Sequence, residues 1–444
     1  MLLEFKCKNF RSFKDELCFS MEPNSRQKGL DYSIQTTDIG GDHYKSLCSA
    51  VIYGPNAAGK TNIISAMDTL KKIILRGNLV NSSEITPNYA STNLELIPNY
   101  HIDEPVSFSI KFIHDKLLFT YDIVLDLGRF LSENYERKVV SERLRVNSKE
   151  LFSREKNYIR MSKSAYDYGI TVEQVFDNAK MLAQSSLKSD ELFLTNGFRT
   201  IFSKDLVAII TNWLKDHFGI VVRADVIRNN PYVEDVGKDQ FYFEANLENA
   251  LNEFGVFSNK VAYKAAKNGK SSLYSLIEEN NGNMQTVKVL PATMFESYGT
   301  IRFINEFPLI ANALANGGTL VIDEFDASIH PIALMSIINV FHNDEINTRH
   351  AQLIFNTHNP IFLDHTIFRR DEIKFVEYDA EESTSVSYSL SDFNTSETAG
   401  TRKNSDYMKN YFINRYGAIA NVDFSSVFKN LMDETSEEDV EDNG

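Results

Sequence analysis

Alternation of apolar and polar residues dominates the first third of the chain. Residues 3–10 alternate in this way, and residues 11–19 turn and alternate again, so the sequence predicts an opening β-hairpin. The stretch from Glu22 to Leu47 is polar and contains two adjacent glycines, and we predict a connecting loop there. Residues of about 105 to 160 repeat the period of two, which predicts an antiparallel β meander.

The pattern changes to helical spacing in the middle of the chain. Between Val172 and Ile277, apolar residues recur at intervals of three and four, and we interpret this block as an inserted helical subdomain in which Trp213 is a core residue. Beyond it, helical spacing over 301–314 precedes two short apolar runs of strand type, 319–322 and 353–356. Together these patterns predict an α/β fold.

These changes of pattern predict four regions. Residues 1–165 hold the first strands and the meander, and residues 166–285 form the helical insertion. Residues 286–425 return to the same core with the later strands. Residues 426–444 are rich in Asp and Glu, and we predict a disordered acidic tail.

The composition is that of an ordinary globular protein, with 43% hydrophobic and 24% charged residues. No run approaches the roughly 18 apolar residues of a membrane span, and the N-terminus lacks a signal-peptide core. The three cysteines include no CxxC pair, which favours a cytoplasmic protein without a structural metal site. A net charge of −15 disfavours generic nucleic-acid binding, although a local basic groove remains compatible with it.

A glycine loop carries the clearest chemistry. The pattern GxxxxGK[ST] spans Gly54–Thr61, between an apolar strand-type run and a segment of helical spacing. In that context the glycines let backbone N–H groups point at phosphate oxygens, and the helix adds its positive end. Lys60 would reach the β- and γ-phosphates of ATP, and the Thr61 hydroxyl would bind Mg²⁺. The candidate nucleotide-binding residues here are Gly54, Pro55, Asn56, Ala57, Ala58, Gly59, Lys60, Thr61 and Asn62.

The strand-type run 319–322 ends in two carboxylates. A buried strand can place Asp323 on the Mg²⁺ ion, and Glu324 can then activate a water for in-line attack on the γ-phosphate. The run 353–356 leads into His358. A histidine there could be a capping or core residue, but its position one strand after the carboxylate pair favours a sensor of the γ-phosphate.

The order of these motifs resembles the ABC-type ATPases of the SMC, RecF and OLD kind. Within that group the chain looks most like the AAA-type, OLD-like ATPases of bacterial anti-phage defence systems. Four further segments carry the resemblance: 9–13 is similar to the start of the group, 296–300 to its signature, 323–331 to its Walker B and D-loop, and 411–419 to a YxxxRYGA-type segment.

The resemblance implies that two copies pair head to tail around ATP, as a homodimer or a larger assembly of dimers. Ser297 and Gly299 would contact the γ-phosphate bound at Lys60 of the other copy, and Asp326 would cross the seam. The resemblance also places three N-terminal residues at the nucleotide: Asn9, Arg11 and Ser12.

The chain departs from the ABC pattern at the Q-loop, which usually carries a glutamine near Mg²⁺ and the attacking water. Between Thr61 and Glu173 the sequence contains no glutamine. Either another residue does that work, or hydrolysis is slow and serves as a timer.

The resemblance leaves three interpretations of function. The ATPase subunits of PARIS, AbiL and Septu systems act with a separately encoded nuclease or toxin, which implies an ATPase of an abortive-infection, toxin–antitoxin-like complex. The alternative is a DNA-binding repair ATPase like RecF or SMC. An OLD-type nuclease in the same chain is disfavoured, because no glutamate strand followed by a DxD strand comes after the ATPase core. A nucleic acid or a phage protein could be the trigger, and no membrane partner is expected.

Overall fold

The computed structural model describes residues 1–81, 94–129, 135–168, 176–222, 241–256, 260–265, 271–281, 284–393, 405–420 and 422–430. The predicted acidic tail lies outside these residues from position 431 onward. Within them, every helix is too short or too polar to cross a membrane.

The first large sheet is antiparallel and contains the opening hairpin. Its strands β1, β6 and β7 alternate buried and half-buried positions, because one face packs on the core and the other is partly open to solvent. The strands are β1 (Leu2–Lys8), β2 (Leu17–Ser20), β6 (Val106–His114), β7 (Leu117–Asp126), β8 (Lys138–Val146), β9 (Lys149–Glu155) and β10 (Tyr158–Met161). They pair in the order β10-β9-β8-β7-β6-β1-β2, and the pairing of β1 with β2 confirms the predicted hairpin.

The second large sheet is mostly parallel and carries the glycine loop. Its strands are β5 (Ser49–Tyr53), β11 (Phe218–Val221), β16 (Thr319–Ile322), β17 (Gln352–Asn356), β18 (Ile373–Asp379) and β19 (Thr384–Ser389). They pair in the order β11-β16-β17-β5-β18-β19, with only β18 and β19 antiparallel. Strands β5, β16 and β17 are buried at every residue, which explains their continuous apolar sequences.

Helices pack on both faces of this second sheet, and others contact the remaining sheets. The helices are α1 (Lys60–Arg76), α2 (Phe176–Ser186), α3 (Lys204–Asn212), α4 (Ala245–Phe254), α5 (Ala292–Phe295), α6 (Tyr298–Asn316), α7 (Pro331–Phe341) and α8 (Tyr407–Phe412). Ile63 of α1 shares one apolar cluster with Phe5 of the first sheet and Ile52 of the second, so α1 lies between the two sheets. Helices α6 and α7 pack on the opposite face, where Phe303 and Leu334 join one cluster.

The polar stretch from Glu22 to Leu47 is not only a loop. It contains the antiparallel hairpin of β3 (Ile34–Ile39) and β4 (Asp42–Leu47). Gly40 and Gly41 form its two-residue turn with φ of 59° and 98°, the left-handed backbone that such hairpins require. The adjacent glycines were therefore a turn signal within a mostly exposed hairpin.

The helical interpretation of residues 172–277 is wrong where parts of that block form strands. Strand β11 belongs to the second large sheet, where it pairs with β16. A four-stranded antiparallel sheet follows, made of β12 (Phe241–Tyr242), β13 (Lys260–Ala265), β14 (Ser271–Asn281) and β15 (Met284–Pro291). Serine, lysine and glutamate interrupt the apolar positions of these strands, so their period of two is weak in the sequence. Helices in the same block include α2, α3 and α4, and buried Trp213 stacks on Phe112 with ring centroids 3.9 Å apart.

Candidate active site

The glycine loop is enclosed by neighbouring strands. A Cβ on Gly54 would lie 2.3 Å from the carbonyl oxygen of Val376 in β18. A Cβ on Gly59, where φ is +110°, would lie 2.6 Å from Ser385 Oγ in β19 and 2.8 Å from Ser12 Oγ. Only glycine allows this close approach at both ends of the loop. The loop is therefore fixed in a curved conformation at the carboxyl end of β5.

Lys60 begins helix α1 and is buried within the loop. Its Nζ donates hydrogen bonds to the carbonyl oxygens of Gly54 and Pro55, each at 2.8 Å. Burial lowers the pKa of the Lys60 amine to about 8, although the negative charges of Asp323 and Glu324 act in the opposite direction. The amine is thus held at the centre of the loop and close to the carboxylate pair.

The carboxylate pair meets the loop at the shared edge of the parallel strands. Ile322 lies opposite Phe355 in the register of β16 and β17, so Asp323 and Asn356 leave adjacent strand ends side by side. Thr61 Oγ1 donates to Asp323 Oδ1 over 3.1 Å, and Asn356 Nδ2 donates to the same oxygen. Burial raises the pKa of Asp323, while these two hydrogen bonds act to lower it.

Glu324 has an unusual backbone conformation. Its φ is 52°, which costs a non-glycine residue about 1–2 kcal/mol. Its N–H donates to Asn356 Oδ1, and its carbonyl oxygen accepts from Arg302 Nη2. The Arg302 guanidinium is paired in turn with Glu306, whose pKa burial raises to about 7. The Glu324 side chain is exposed and faces a cleft.

The cleft has a volume of about 430 Å³ and brings several charged groups together. Its lining includes Arg11, Thr61, Glu95, Tyr298, Asp323 and Glu324. The chain thus joins the N-terminal turn, the start of α1, the start of α6 and the end of β16 around one opening.

Two of the three N-terminal candidates lie at the loop. Arg11 Nη1 donates to Asn62 Oδ1 at 3.0 Å, and Asn62 Nδ2 donates to Ser12 Oγ at 2.6 Å. Asn9 is placed differently: it is fully buried, its Nδ2 donates to the carbonyl oxygen of Glu104, and its Oδ1 accepts from the N–H of Asn99. Asn9 therefore holds neighbouring backbone in the fold, and its described hydrogen bonds do not lead to the glycine loop.

The segments similar to a signature and a D-loop contact each other within one chain. Ser297 is exposed and caps α6, where its Oγ accepts from the N–H of Thr300 at 3.1 Å. Gly299 is buried, and a Cβ there would lie 2.1 Å from the carbonyl oxygen of Ser328. A glycine at 299 is thus required by the close approach of two turns. Asp326 lies between Glu324 and Ser328 in the sequence. Its negative charge acts to raise the pKa of Lys60.

His358 follows β17 at the same edge of the sheet and is exposed. Partial desolvation and the positive charge of Lys60 both lower the pKa of its imidazole. At neutral pH the ring is therefore mostly uncharged. The negative charges of Asp326 and Glu324 act in the opposite direction on its pKa.

Four residues of this site were missed from the sequence: Glu95, Arg302, Asn356 and Ser385. Asn356 had a signal, because it ends a buried strand beside the strand of Asp323. Arg302 and Glu306 also had one, as an i, i+4 charge pair inside an otherwise apolar helix. Glu95 and Ser385 reach the site from distant segments without a recognisable motif.

The donor set at the end of β16 fits a magnesium ion. Thr61 Oγ1 and Asp323 Oδ1 converge within 3.1 Å of each other, and both are oxygen donors of the type that Mg²⁺ prefers. The adjacent buried lysine and the start of α1 suit the phosphates that accompany such an ion in nucleotide sites.

A glycine loop with a buried lysine, followed by a helix and faced by a carboxylate at the end of another parallel strand of the same sheet, defines a nucleotide-binding P-loop domain of the AAA/ABC type. Comparison with protein families agrees with this class. The family described as "AAA domain, putative AbiEii toxin, Type IV TA system" matches residues 49–191 and 224–364, which is more than half of the chain, and the chain belongs to that family. No curated protein matches the sequence.

Proposed function

We propose that this chain binds ATP with Mg²⁺ and hydrolyses it to ADP and phosphate. The observation that carries the proposal is the hydrogen bond between Thr61 and Asp323, which joins the glycine loop to the carboxylate pair. The two residues are separated by 262 positions in the sequence, and the fold brings them to one edge of a sheet. Family membership supports the same class of activity.

In the proposed reaction, backbone N–H groups of the loop and the Lys60 amine bind the phosphates. Thr61 and Asp323 would hold Mg²⁺, which would supply positive charge to the phosphates. Glu324 accepts a proton from a water molecule while the oxygen of that water bonds to the γ-phosphorus. The bond between the γ-phosphorus and the β–γ bridging oxygen breaks, and ADP leaves with that oxygen. His358 donates a hydrogen bond to the γ-phosphate.

We further propose that the active unit is an ABC-type head-to-tail dimer. Ser297 is exposed at the N-terminus of α6, where the helix dipole favours an anion, so a γ-phosphate of a second copy suits this position. In such a dimer Gly299 keeps the turn close to Ser328 and Asp326 lies at the seam. The meander would then be an addition to an ABC-type lobe, whereas residues 166–285 also supply strand β11 of the parallel sheet.

The biological role that we propose is control of a separate effector in an anti-phage, abortive-infection system. The family description names a toxin of a type IV toxin–antitoxin system, and the motif order resembles ATPases that act with a nuclease or toxin. A DNA-binding repair ATPase is the alternative. The net charge of −15 favours the first role, because DNA binding depends on clustered positive charge.

The enzymatic proposal is tested with the full chain, a fluorescent ATP analogue and a phosphate-release assay. We expect Lys60→Ala to lose nucleotide binding, and Glu324→Gln to bind normally, stop hydrolysis and accumulate as a dimer in light scattering. Lys72→Ala is the matched control, because Lys72 lies on the same helix and pairs with Asp68 rather than with a residue of the site. Wild-type hydrolysis by Glu324→Gln would contradict the assignment of the base.

The biological proposal is tested by co-expressing the chain with the products of its neighbouring genes. A nuclease or toxin that co-purifies and is restrained or released according to the nucleotide state supports it. Tight, salt-dependent binding to DNA by the chain alone supports the alternative.

A further inference from the structure

The backbone of Glu324 is held by two buried side chains from different elements. Its N–H donates to Asn356 at the end of β17, and its carbonyl oxygen accepts from Arg302 of α6. A left-handed conformation at a glutamate persists only where its surroundings impose it. These two contacts therefore set the direction in which the Glu324 carboxylate enters the cleft.

Arg302 has little freedom of its own. Its Nε donates to Glu306 Oε1 at 2.9 Å, and its Nη2 also lies 3.4 Å from the carbonyl oxygen of Asp323. The side chains of Arg302 and Glu306 are 5% and 1% exposed. A planar guanidinium with one edge on a carboxylate and the other on two carbonyl groups has a fixed position relative to its helix.

The first turn of α6 contacts the turn of residues 323–328 at two places. Arg302 reaches the carbonyl of Glu324, and Gly299 lies against the carbonyl of Ser328. Ser297 caps the same helix five positions before Arg302. Because a helix moves as a rigid element, a shift of Ser297 carries Arg302 with it and displaces the backbone of Glu324.

We propose that Arg302 is a positioning residue that ties the aim of the Glu324 carboxylate to the position of Ser297. This inference rests on the proposed function, in which Ser297 binds the γ-phosphate held by a second copy. Contact between Ser297 and the nucleotide of the partner then sets Glu324 at the chain's own ATP site. Each copy hydrolyses its ATP fastest when the other copy's nucleotide is also in place.

The first experiment compares three variants of the full chain. Arg302→Lys replaces the fork by a single point donor, and we expect kcat to fall about 100-fold, the scale of a small misplacement of a catalytic group, with analogue affinity within about threefold. Glu306→Gln keeps an acceptor for Nε without its charge, and we expect a smaller fall, of about tenfold. Arg369→Lys is the control, because Arg369 is also buried and paired with a carboxylate, Asp371, at 2.9 Å. We expect it to keep the wild-type kcat.

The second experiment tests the link to Ser297 with a double-mutant cycle. Ser297→Ala should lower kcat in the wild-type background and have little further effect in the Arg302→Lys background, because the connection is already broken. Thermal unfolding of each variant checks that it folds. If Arg302→Lys does not fold, the kcat of Glu306→Gln tests the proposal in its place.

Two results would overturn the proposal: folded Arg302→Lys and Glu306→Gln proteins with wild-type kcat, or independent effects of Ser297→Ala and Arg302→Lys. Hydrolysis by Glu324→Gln at the normal rate is a different failure. It would remove Glu324 as the base, whereas a wild-type chain that neither binds nor hydrolyses ATP would reject the proposed function itself, so the failures are distinguishable.

Discussion

Gly299 and Ser328 approach so closely that any Cβ at position 299 would lie 2.1 Å from the Ser328 carbonyl oxygen. This carbonyl belongs to the backbone and cannot rotate away as the end of a flexible side chain could. The start of α6 and the turn after β16 can therefore pack this closely only because residue 299 has no side chain.

We expect Gly299→Ala to lower the free energy of unfolding by about 1–3 kcal/mol, the usual cost of overpacking, and to slow hydrolysis. Urea denaturation and phosphate release measure the two effects. Ser328→Ala is the control, because it leaves the carbonyl in place, and its effect on stability should stay within about 0.5 kcal/mol. Equal stability of Gly299→Ala and the wild type would show that the two turns separate easily.

ATP binding near pH 8 should take up protons. Burial lowers the pKa of Lys60 to about 8, so about half of the molecules carry a neutral amine at that pH. Phosphates beside the amine favour its charged form and raise its pKa, so protons are bound together with ATP. At about pH 6 the lysine is already charged and no uptake is expected.

Titration calorimetry in two buffers of different ionisation enthalpy measures this uptake. We expect Lys60→Arg, whose guanidinium is always charged, to remove the Lys60 contribution at pH 8 if it still binds. An uptake that persists unchanged in this variant would assign the proton to another group.

Asn356 donates to Asp323 and accepts from the backbone of Glu324, so Asn356→Asp removes the first contact and keeps the second with almost no change of shape. The new carboxylate would face Asp323 Oδ1, and like charges at such a distance raise the pKa of one of them. We expect hydrolysis to fall at least about tenfold, because Glu324 keeps its acceptor but Asp323 loses its donor. Asn312→Asp, at an exposed position of α6, should change nothing. Phosphate release at several magnesium concentrations makes the comparison.

Stability away from the site depends on the buried carboxylate of Glu142. It accepts hydrogen bonds from the N–H groups of Phe193 and Leu194, each at 2.7 Å, and from the Tyr121 hydroxyl, and it lies 3.7 Å from Arg154. Removing this carboxylate leaves two buried N–H groups and the Tyr121 hydroxyl without their acceptor, and buried Arg154 without its counter-charge. We expect Glu142→Ala to cost about 3–5 kcal/mol in urea denaturation.

The control for Glu142 is an exposed carboxylate. Asp103 pairs with Arg129 at 2.9 Å, but the two side chains are 63% and 78% exposed. Asp103→Ala should therefore cost less than about 1 kcal/mol. A similar loss for both variants would mean that burial of Glu142 adds nothing to its interactions.

The parts of the site that follow from local sequence were predictable. Gly54–Thr61 has fixed spacing between a strand and a helix, and Asp323 ends an apolar strand, so both are visible within a few residues. The contacts of Arg302 and Asn356 are different, because each depends on an element that is distant in sequence. The same limit applies to Asn9, which matched a family segment but is buried in contacts with residues 99 and 104.

The strands were predictable from the sequence where one face is buried and the other is more accessible to solvent, because apolar and polar residues then alternate. Strands β6 and β7 alternate cleanly, whereas β13 and β14 carry polar residues among their apolar positions and were taken for helix. Strand β11 has only four residues, and its place in the second sheet depends on β16, far along the chain. A period in the sequence cannot reveal such pairing.

The strand order β11-β16-β17-β5-β18-β19 has a consequence for the newly made polypeptide. Strand β5, which leads into the glycine loop, is flanked on both sides by strands that leave the ribosome some three hundred residues later. Domains otherwise begin to fold from the N-terminal side during synthesis. A nascent chain that stops before β17 thus has the glycine-loop sequence but lacks the strands on both sides of β5, so β17 and β18 must be translated before the pocket is complete.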